Sequence, residues 1–285
     1  MLMRKLLLIA GLLLITSAIF FYSTKKNIPE VKKITLVSLK PSPSPSPSPS
    51  PSPSPSPLTF AQMNAKFGPC VYLPVLMYHH VQNMDQAKID GHANLTVGTD
   101  MFRQQMEYLK NRGYTTIDAN QLLAFFDTGT PISGKGVMLT FDDGYDDFYS
   151  DAFPIISSLD LRAILFIATG LAENPGYLTW NQIQSLTFSG KVLVANHTWS
   201  HKGVGSDMQN EISLADSQLT EHGANNPKVF SYPYGYPTGA SENYLTNLGY
   251  GLAFTTTPGS TLCKQQRLAL PRIRIGNAPL SAYGL

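Results

Sequence analysis

Cysteine is almost absent from this chain of 285 residues, and there is little net charge. The two cysteines, Cys70 and Cys263, are far apart and lack the close spacing of metal-binding thiols, so a cysteine-based metal site is excluded. The formal net charge is +2, and the part of the chain that can fold has no cluster of Lys and Arg with interleaved aromatic residues. We therefore expect no nucleic-acid partner.

Long apolar runs are also missing, except for one at the amino terminus. Leu6–Tyr22 is apolar apart from Thr16 and Ser17, and it reaches the lower limit of about 17 residues for a membrane-spanning helix. Residues 1–26 are therefore predicted to be a membrane anchor or a signal sequence. No clear small-x-small cleavage site is present, which favours the anchor. Lysines after the run favour a cytoplasmic domain, but large domains are translocated largely regardless of flanking charge, and we expect an extracytoplasmic one.

A strict alternation of proline and serine, Pro41–Pro57, follows the apolar run. Such a segment cannot bury apolar surface and lacks every second backbone donor, so it is predicted to be an extended spacer of roughly 50 Å. We therefore divide the chain into the anchor or signal (1–26), a Pro-Ser-rich linker (27–60) and one folded domain (61–285). The domain would be held at the cell surface through the membrane helix, or secreted if the helix is cleaved, and we expect a monomer.

Strand-like and helix-like segments alternate through the folded domain. Apolar strands are predicted at 73–78, 114–117, 136–141, 163–169, 191–195, 229–232, 251–256 and 268–275. Helical patterns separate most of them, and Asp118 and Thr179 are predicted to cap two of these helices. Continuous apolar strands alternating with helices indicate a parallel sheet that is covered on both faces. We predict an α/β fold, in which seven or eight such units favour a closed barrel over an open sheet.

Two short segments carry the chemistry. Thr140–Tyr145 reads Thr-Phe-Asp-Asp-Gly-Tyr and ends a predicted strand, and His197–His201 reads His-Thr-Trp-Ser-His. Each segment has an ordinary interpretation, since Asp-Asp-Gly is a common turn and histidines four residues apart often lie on a solvated helix face. Together, at the ends of two strands, two imidazoles and a carboxylate form a typical open metal shell, with a second carboxylate left as a base.

These two segments resemble the first two signature motifs of the NodB-homology polysaccharide deacetylases, carbohydrate esterase family four. A third segment, Phe230–Gly235, resembles the Arg-x-Pro-Tyr motif of that family, and the resemblance runs from about Leu73 to Ile275. It implies a distorted (β/α) barrel with about seven parallel strands, which removes N-acetyl groups from a polysaccharide containing N-acetylhexosamine. The metal would be zinc, with cobalt or nickel as alternatives.

The resemblance also assigns individual residues. It makes Asp143, His197 and His201 the metal ligands, Asp142 the general base, and the backbone N–H of Tyr234 the donor to the oxyanion. Two departures stand out. Ser231 occupies the position where many members have an arginine that pairs with the base, so another cation would have to orient Asp142, or none does. The late Leu-x-His motif that supplies an acid is missing, because no histidine follows His222.

The proton donor to the leaving amine is therefore sought near the first strand. Tyr78-His79 resembles the branch that includes the poly-N-acetylglucosamine deacetylases, which implies that His79 is the acid. His80 remains an alternative, and a packing role is the more economical interpretation for it. Contacts with the sugar are expected from aromatic residues and a proline near the motifs: Tyr145, Trp180, Pro233 and Tyr236.

An even pair of cysteines in an extracytoplasmic domain predicts a disulfide between Cys70 and Cys263, and two buried free thiols are the alternative.

Three other functions stay open at this stage. The same constellation serves an O-acetyl esterase on cell-wall or plant polysaccharide. An inactive sugar-binding domain would have lost a ligand or the base, and none is lost. A zinc protease is disfavoured because no Glu follows His197.

Overall fold

Strands alternate with helices along the described chain, as the sequence pattern predicts. The structure is a computed structural model that describes residues 57–203 and 205–285. The strands are β1 (Cys70–Tyr72), β2 (Val75–Tyr78), β3 (His80–Gln82), β4 (Thr96–Gly98), β5 (Tyr114–Thr116), β6 (Lys135–Phe141), β7 (Ala163–Ile167), β8 (Val192–Asn196), β9 (Val229–Ser231), β10 (Leu252–Pro258), β11 (Thr261–Cys263) and β12 (Leu270–Arg274). The helices are α1 (Phe60–Phe67), α2 (Met84–Ile89), α3 (Thr99–Asn111), α4 (Ala119–Thr128), α5 (Phe153–Ser158), α6 (Trp180–Phe188), α7 (Met208–Glu221) and α8 (Gly239–Asn247).

The predicted anchor, residues 1–26, and the linker up to residue 56 lie outside the described residues. Among the residues that are described, no helix combines the length and the apolar composition needed to cross a bilayer.

Seven parallel strands close into a barrel. Around it they run β2, β12, β10, β9, β8, β7 and β6, and β6 pairs with β2 to close the ring, while β5 extends the sheet beyond β6. The first and last barrel strands in the sequence are therefore neighbours, with Met77 of β2 in register with Arg274 of β12. The predicted barrel is confirmed.

Alternating side chains of the strands fill two separate layers of the core. Those that point into the barrel are apolar over most of its height and pack on one another: Val75, Met138, Ile164, Phe166, Ala195, Val229, Leu252, Phe254 and Leu270. Their neighbours in sequence, such as Leu76, Leu139 and Leu165, pack outward against the helices. Because the period of a strand is two, the inward positions beyond this plug emerge together at the carboxyl end of the barrel.

The helix starts follow the predicted signals. Asp118 and Thr179 cap α4 and α6, and each forms a capping box with a glutamine three residues later. Pro154 lies in the first turn of α5, where its missing N–H costs nothing, and a π-helical turn, Phe148–Ala152, leads into that helix. The helical segment between β6 and β7 therefore changes from a π-helical turn to an α-helix just before its proline.

A disulfide joins Cys70 and Cys263, as the pair of cysteines predicts. The two residues face each other in a separate antiparallel ribbon of β1 and β11, rather than in the barrel strands themselves. Each cysteine precedes a barrel strand, β2 or β12, so the ribbon lies at the amino end of the barrel. Helix α1 contacts the same ribbon, and the described chain therefore enters on the side opposite the carboxyl ends of the strands.

Candidate metal centre

The predicted metal ligands, base, acid and oxyanion donor follow the carboxyl ends of barrel strands. Asp142 and Asp143 follow β6, His197 follows β8, and Tyr234 lies just beyond β9. His79 follows β2, the strand beside β6. The barrel therefore collects at one end what the sequence spreads over more than a hundred residues, which is where barrel enzymes carry their active sites.

Three side chains converge with the geometry of a metal shell. The Nε2 atoms of His201 and His197 lie 3.1 and 3.3 Å from Oδ1 of Asp143, and all three candidate ligand atoms lie within 4.8 Å of one another. Bonds of roughly 2.0–2.1 Å in a tetrahedral shell separate ligand atoms by roughly 3.3 Å. Oδ1 of Asp143 is also buried and has no hydrogen-bond partner among the described residues. The three residues fit a divalent cation.

The orientation of the His197 imidazole is fixed by a hydrogen bond on the side of the ring that faces away from Asp143. Its Nδ1 donates to the backbone carbonyl of Ser231 over 2.7 Å. An imidazole that donates from Nδ1 presents a lone pair at Nε2, which is the atom that faces Asp143. Ser231 thus takes part in the site through its backbone carbonyl, although it lacks the arginine side chain that many proteins with this motif have at the same position.

The backbone is left-handed at four residues of the centre that are not glycine. They are Asp143, Thr198, His201 and Tyr234, with φ values of 77°, 68°, 58° and 63°. Such conformations cost free energy and cluster at functional sites, where the surrounding structure has to impose them. The Asp-Asp-Gly segment is therefore both the tight turn of its ordinary interpretation and the segment that contains the candidate ligand Asp143.

Asp142 is held by an arginine that we did not predict. The guanidinium of Arg272 donates to both carboxylate oxygens, from Nη1 to Oδ1 over 2.7 Å and from Nη2 to Oδ2 over 2.6 Å. Both side chains are almost fully buried. A two-point contact of this kind fixes the plane of the carboxylate as well as its charge.

All five N–H groups of Arg272 have acceptors. The remaining three donate to the carbonyl of Thr255, the hydroxyl of Thr140 and the hydroxyl of Ser231. Of the two alternatives left open by the sequence, the first is therefore correct: another cation orients Asp142. Strand alternation holds the signal that could have revealed it, since Leu270, Arg272 and Arg274 share the inward face of β12.

The charge of Asp142 follows from these contacts. Burial alone would raise the pKa of its carboxyl group, but the charge and hydrogen bonds of Arg272 outweigh burial and hold the pKa below its ordinary value. Asp142 is thus ionised at neutral pH, as a general base must be.

His79 lies at the same end of the barrel as the two carboxylates. Burial lowers the pKa of its imidazole; the charges of Asp142 and Asp143 oppose this change, and those of Arg272 and Arg274 add to it. All four charged groups are thus near enough to act on His79, and it extends the inward row of β2 beside β12.

The adjacent His80 has a different environment. Its Nδ1 lies 2.5 Å from Oδ2 of Asp147, and its ring is sandwiched between those of His92 and Tyr145. The residue is buried, which agrees with a packing role.

The segment after β9 presents Tyr234 towards the centre. Its ring meets that of His201 edge to face at 5.0 Å, and its carbonyl accepts from the hydroxyl of Thr256. No acceptor for its backbone N–H occurs among the described residues. Tyr234 and Tyr236 are 61% and 74% exposed, whereas Pro233 between them and the barrel is buried. The segment therefore combines a fixed peptide with two open aromatic surfaces.

Two of the aromatic residues expected to contact sugar already have aromatic neighbours. Tyr145 stacks on His80, and burial together with the negative charge of Asp143 raises the pKa of its hydroxyl. Trp180 stacks on His222 with ring centroids 4.0 Å apart, so one face of its indole is covered. Contact of either residue with substrate stays a prediction.

Comparisons with known proteins agree with this arrangement. Residues 130–253 match the family model described as polysaccharide deacetylase. The poly-beta-1,6-N-acetyl-D-glucosamine N-deacetylase of Escherichia coli K12 is 27% identical over 231 residues, which cover 65% of this chain and 34% of that protein. The chain thus spans about a third of the length of this relative.

Solved structures share the fold. The Streptococcus pyogenes deacetylase PplD, solved in complex with acetate, superposes with a TM-score of 0.65 at 29% identity, covering 72% of this chain and 92% of that one. IcaB from Ammonifex degensii superposes with a TM-score of 0.60 at 24% identity, over 73% and 93% of the two chains. The barrel, the family match over residues 130–253 and the motif residues present in this chain agree: the chain is similar to polysaccharide deacetylases in sequence and in fold.

Proposed function

We propose that the chain is a metal-dependent hydrolase that removes N-acetyl groups from a polysaccharide containing N-acetylhexosamine at the cell surface. The observation that carries the proposal is the pair of adjacent carboxylates with opposite partners. Asp143 faces two histidines, and Asp142 is bound by Arg272. One carboxylate is thus arranged for a cation and the other for a proton.

Asp143, His197 and His201 would hold the cation, and zinc suits this ligand set, with cobalt or nickel as alternatives. When bound, the cation lowers the pKa of water and polarises an acyl oxygen. Three protein ligands leave room for both in the shell.

The other residues then divide the proton transfers. Asp142 takes a proton from the attacking water, whose oxygen forms a bond to the acyl carbon. His79 donates a proton to the amide nitrogen as the C–N bond breaks. The products are acetate and the amine of the sugar, so atoms and charges balance. Without a proton the amine would be a very poor leaving group.

The backbone N–H of Tyr234 would donate to the oxygen that becomes negative during the attack. Two features support this role. The N–H has no acceptor among the described residues, and the carbonyl of the same residue is fixed by Thr256. A preorganised donor of this kind stabilises developing charge without needing to reorient.

A polymer is the proposed substrate because the centre is open on one side. Tyr234 offers an exposed aromatic surface beside His201, and Tyr236 is exposed two residues later. Pro233, Tyr145 and Trp180 remain candidates for contacts with sugar rings. The name of the Escherichia coli relative, a poly-beta-1,6-N-acetyl-D-glucosamine N-deacetylase, supports a polymer of N-acetylglucosamine.

The proposed location depends on the amino-terminal sequence. We propose an anchor within residues 1–26 and an extracytoplasmic, monomeric domain, or a secreted one if the anchor is cleaved. Entry of the described chain at the amino end of the barrel supports this, since the carboxyl end then remains free for a large substrate. Extraction of membranes with alkaline carbonate, which leaves integral proteins behind, tests the anchor, and light scattering of the purified protein tests the monomer.

Acetate release from a panel of glycans tests the activity. The panel contains N-acetylated poly-glucosamine and O-acetylated xylan, each with and without a chelator. Chelator-sensitive release from the N-acetylated polymer is the expected result. Release from the O-acetylated polymer alone would instead establish an esterase. Binding to glycans without any release would establish a sugar-binding domain.

A further inference from the structure

A buried carboxylate behind the metal centre has no part in the chemistry proposed so far. Glu211 lies on the inner face of α7 and is only 3% exposed. Its two oxygens accept from the backbone N–H and from the hydroxyl of Ser200, each over 2.7 Å. A single carboxylate therefore makes two short hydrogen bonds to a single residue, and that residue precedes the candidate ligand His201.

These contacts do more than satisfy Glu211. Removing a carboxylate from water is costly, and an exposed lysine compensates only in part: Nζ of Lys202 is 3.3 Å from Oε1 of Glu211, and its side chain is 61% exposed. Packing of α7 on the barrel does not require a buried carboxylate, because apolar residues could fill the same space. The carboxylate of Glu211 instead fixes the position of the loop at Ser200, because charge-assisted hydrogen bonds are short and directional.

The loop needs this support. Between His197 and His201 the chain adopts left-handed φ values at Thr198 and at His201 itself. His197 is fixed by the carbonyl of Ser231, but no hydrogen bond of this kind to Nδ1 of His201 occurs among the described residues. His201 is also the more exposed of the two imidazoles, at 26% against 2%. The position of His201 therefore depends on its backbone.

We infer that Glu211 is a positioning residue for His201: by binding Ser200 it holds the second histidine at the distance from Asp143 that a divalent cation requires. The inference rests on the metal site of the proposed function. It predicts that Glu211 acts through hydrogen bonds more than through charge. A glutamine can accept from the N–H of Ser200 and donate to its hydroxyl, whereas an alanine can do neither.

Metal affinity, measured without substrate, provides the test. Zinc is titrated into the metal-free wild type, Glu211→Ala, Glu211→Gln and Ser200→Ala in competition with a fluorescent chelator, and the melting temperature of each metal-free protein is recorded. Glu221→Ala, an exposed substitution in the same helix, is the matched control. Asp143→Ala shows that the titration reports the intended site.

We expect Glu211→Ala to weaken zinc binding roughly 10- to 100-fold, the usual effect of removing a partner that orients a ligand. Glu211→Gln should lie within a few-fold of wild type, Ser200→Ala between the two, and Glu221→Ala at the wild-type value. If Glu211→Ala does not fold, the ranking of wild type, Glu211→Gln and Ser200→Ala still tests the inference, because each keeps the backbone contact.

Two results would overturn the inference. If Glu211→Ala melts at a lower temperature but binds zinc as tightly as wild type, Glu211 stabilises the fold alone. If Glu211→Gln is as weak as Glu211→Ala, charge rather than position is the cause. A wild type that binds no zinc would instead remove the metal site and the proposed function together.

Discussion

Two regions of the chain contribute residues to the candidate site, and they differ in how easily those residues are recognised in the sequence. The middle of the chain, residues 130–253, matches the family model and contains the two carboxylates, the two histidines and Tyr234. The seam of the barrel, formed by β2 and β12, lies outside that match and contributes His79 and Arg272. The middle holds the candidate ligands and Asp142, and the seam holds His79, which would donate a proton, and Arg272, which orients Asp142.

The difference shows what a local motif can and cannot encode. In the middle, each functional residue lies within a short recognisable segment. At the seam, Arg272 and Asp142 are 130 residues apart and meet only because the barrel closes. Removal of these residues should therefore have distinguishable effects: loss of the cation for the candidate ligands, and altered proton transfer with the cation retained for Asp142 and for the two residues of the seam.

The largest effect is expected from Asp143→Ala. Without this carboxylate the two histidines cannot hold the cation in a full shell, so metal content should be lost and acetate release should fall to the background. Elemental analysis and a chelator-treated wild type, restored with zinc or cobalt, are the measurements. Asp100→Ala, an exposed substitution, is the control. Full activity in a metal-free sample would contradict the site.

Asp142→Asn should be the next most severe. The amide keeps the size of the carboxylate but cannot accept a proton, so turnover should fall roughly 10²- to 10⁴-fold while metal content is retained. Retained metal with lost turnover separates this residue from its neighbour. Normal turnover would require a base elsewhere.

His79→Ala tests the seam directly. We expect amide turnover to fall by about 10²-fold or more, with metal content intact, because the leaving amine must be protonated. An activated ester should be affected less, because its leaving group needs little protonation. His80→Ala should mainly lower the melting temperature, since His80 is buried against Asp147. If His80→Ala alone abolishes amide turnover, the assignment is off by one residue.

Arg272→Met tests the contribution of the seam through the pH dependence of acetate release. Removing one partner of a buried ion pair costs about 3–5 kcal/mol, so the protein should be less stable. Arg272 lowers the pKa of Asp142, and its removal should raise that pKa and move the acidic limb of the rate profile to higher pH. Activity at neutral pH should fall by about tenfold and partly recover in alkali. Arg103→Met, at an exposed position of α3, is the control; an unchanged profile would show that Arg272 only stabilises the fold.

The smallest effect on activity is expected from the disulfide. Cys70→Ser with Cys263→Ser releases a link across 193 residues, worth up to about 5 kcal/mol in the loop-entropy model. The cysteines lie at the amino end of the barrel, away from the centre, so acetate release well below the melting temperature should be unchanged. A fall in activity with no fall in melting temperature would show that the seam transmits strain to the site.

Much of this architecture could be predicted from the sequence. Continuous apolar strands with alternating helices predict a covered parallel sheet, and the caps at Asp118 and Thr179 were identifiable because side-chain capping is local. The candidate ligands and Asp142 could be predicted because each lies within one of two short, recognisable segments, Thr140–Tyr145 and His197–His201. Each of these features depends on residues that are close in the chain.

The remainder depends on contacts between distant residues. Arg272 could not be assigned, because an arginine in a strand is usually exposed, and only closure of the barrel turns it towards Asp142. Glu211 was overlooked because a glutamate in an amphipathic helix ordinarily faces solvent. The ribbon of β1 and β11 was also not predicted, since its three-residue strands are too short to show a period.

Closure of the barrel has a consequence for when the enzyme becomes competent. During synthesis Asp142 emerges long before Arg272. Until β12 takes its place between β2 and β10, the carboxylate of Asp142 lacks its contact with Arg272 and the barrel around it is not closed. A chain that stops short of β12 would keep every recognisable motif and still lack a working base. On the proposed function, completion of the last barrel strand would therefore act as a check on synthesis, because only the closed barrel brings Arg272 to Asp142.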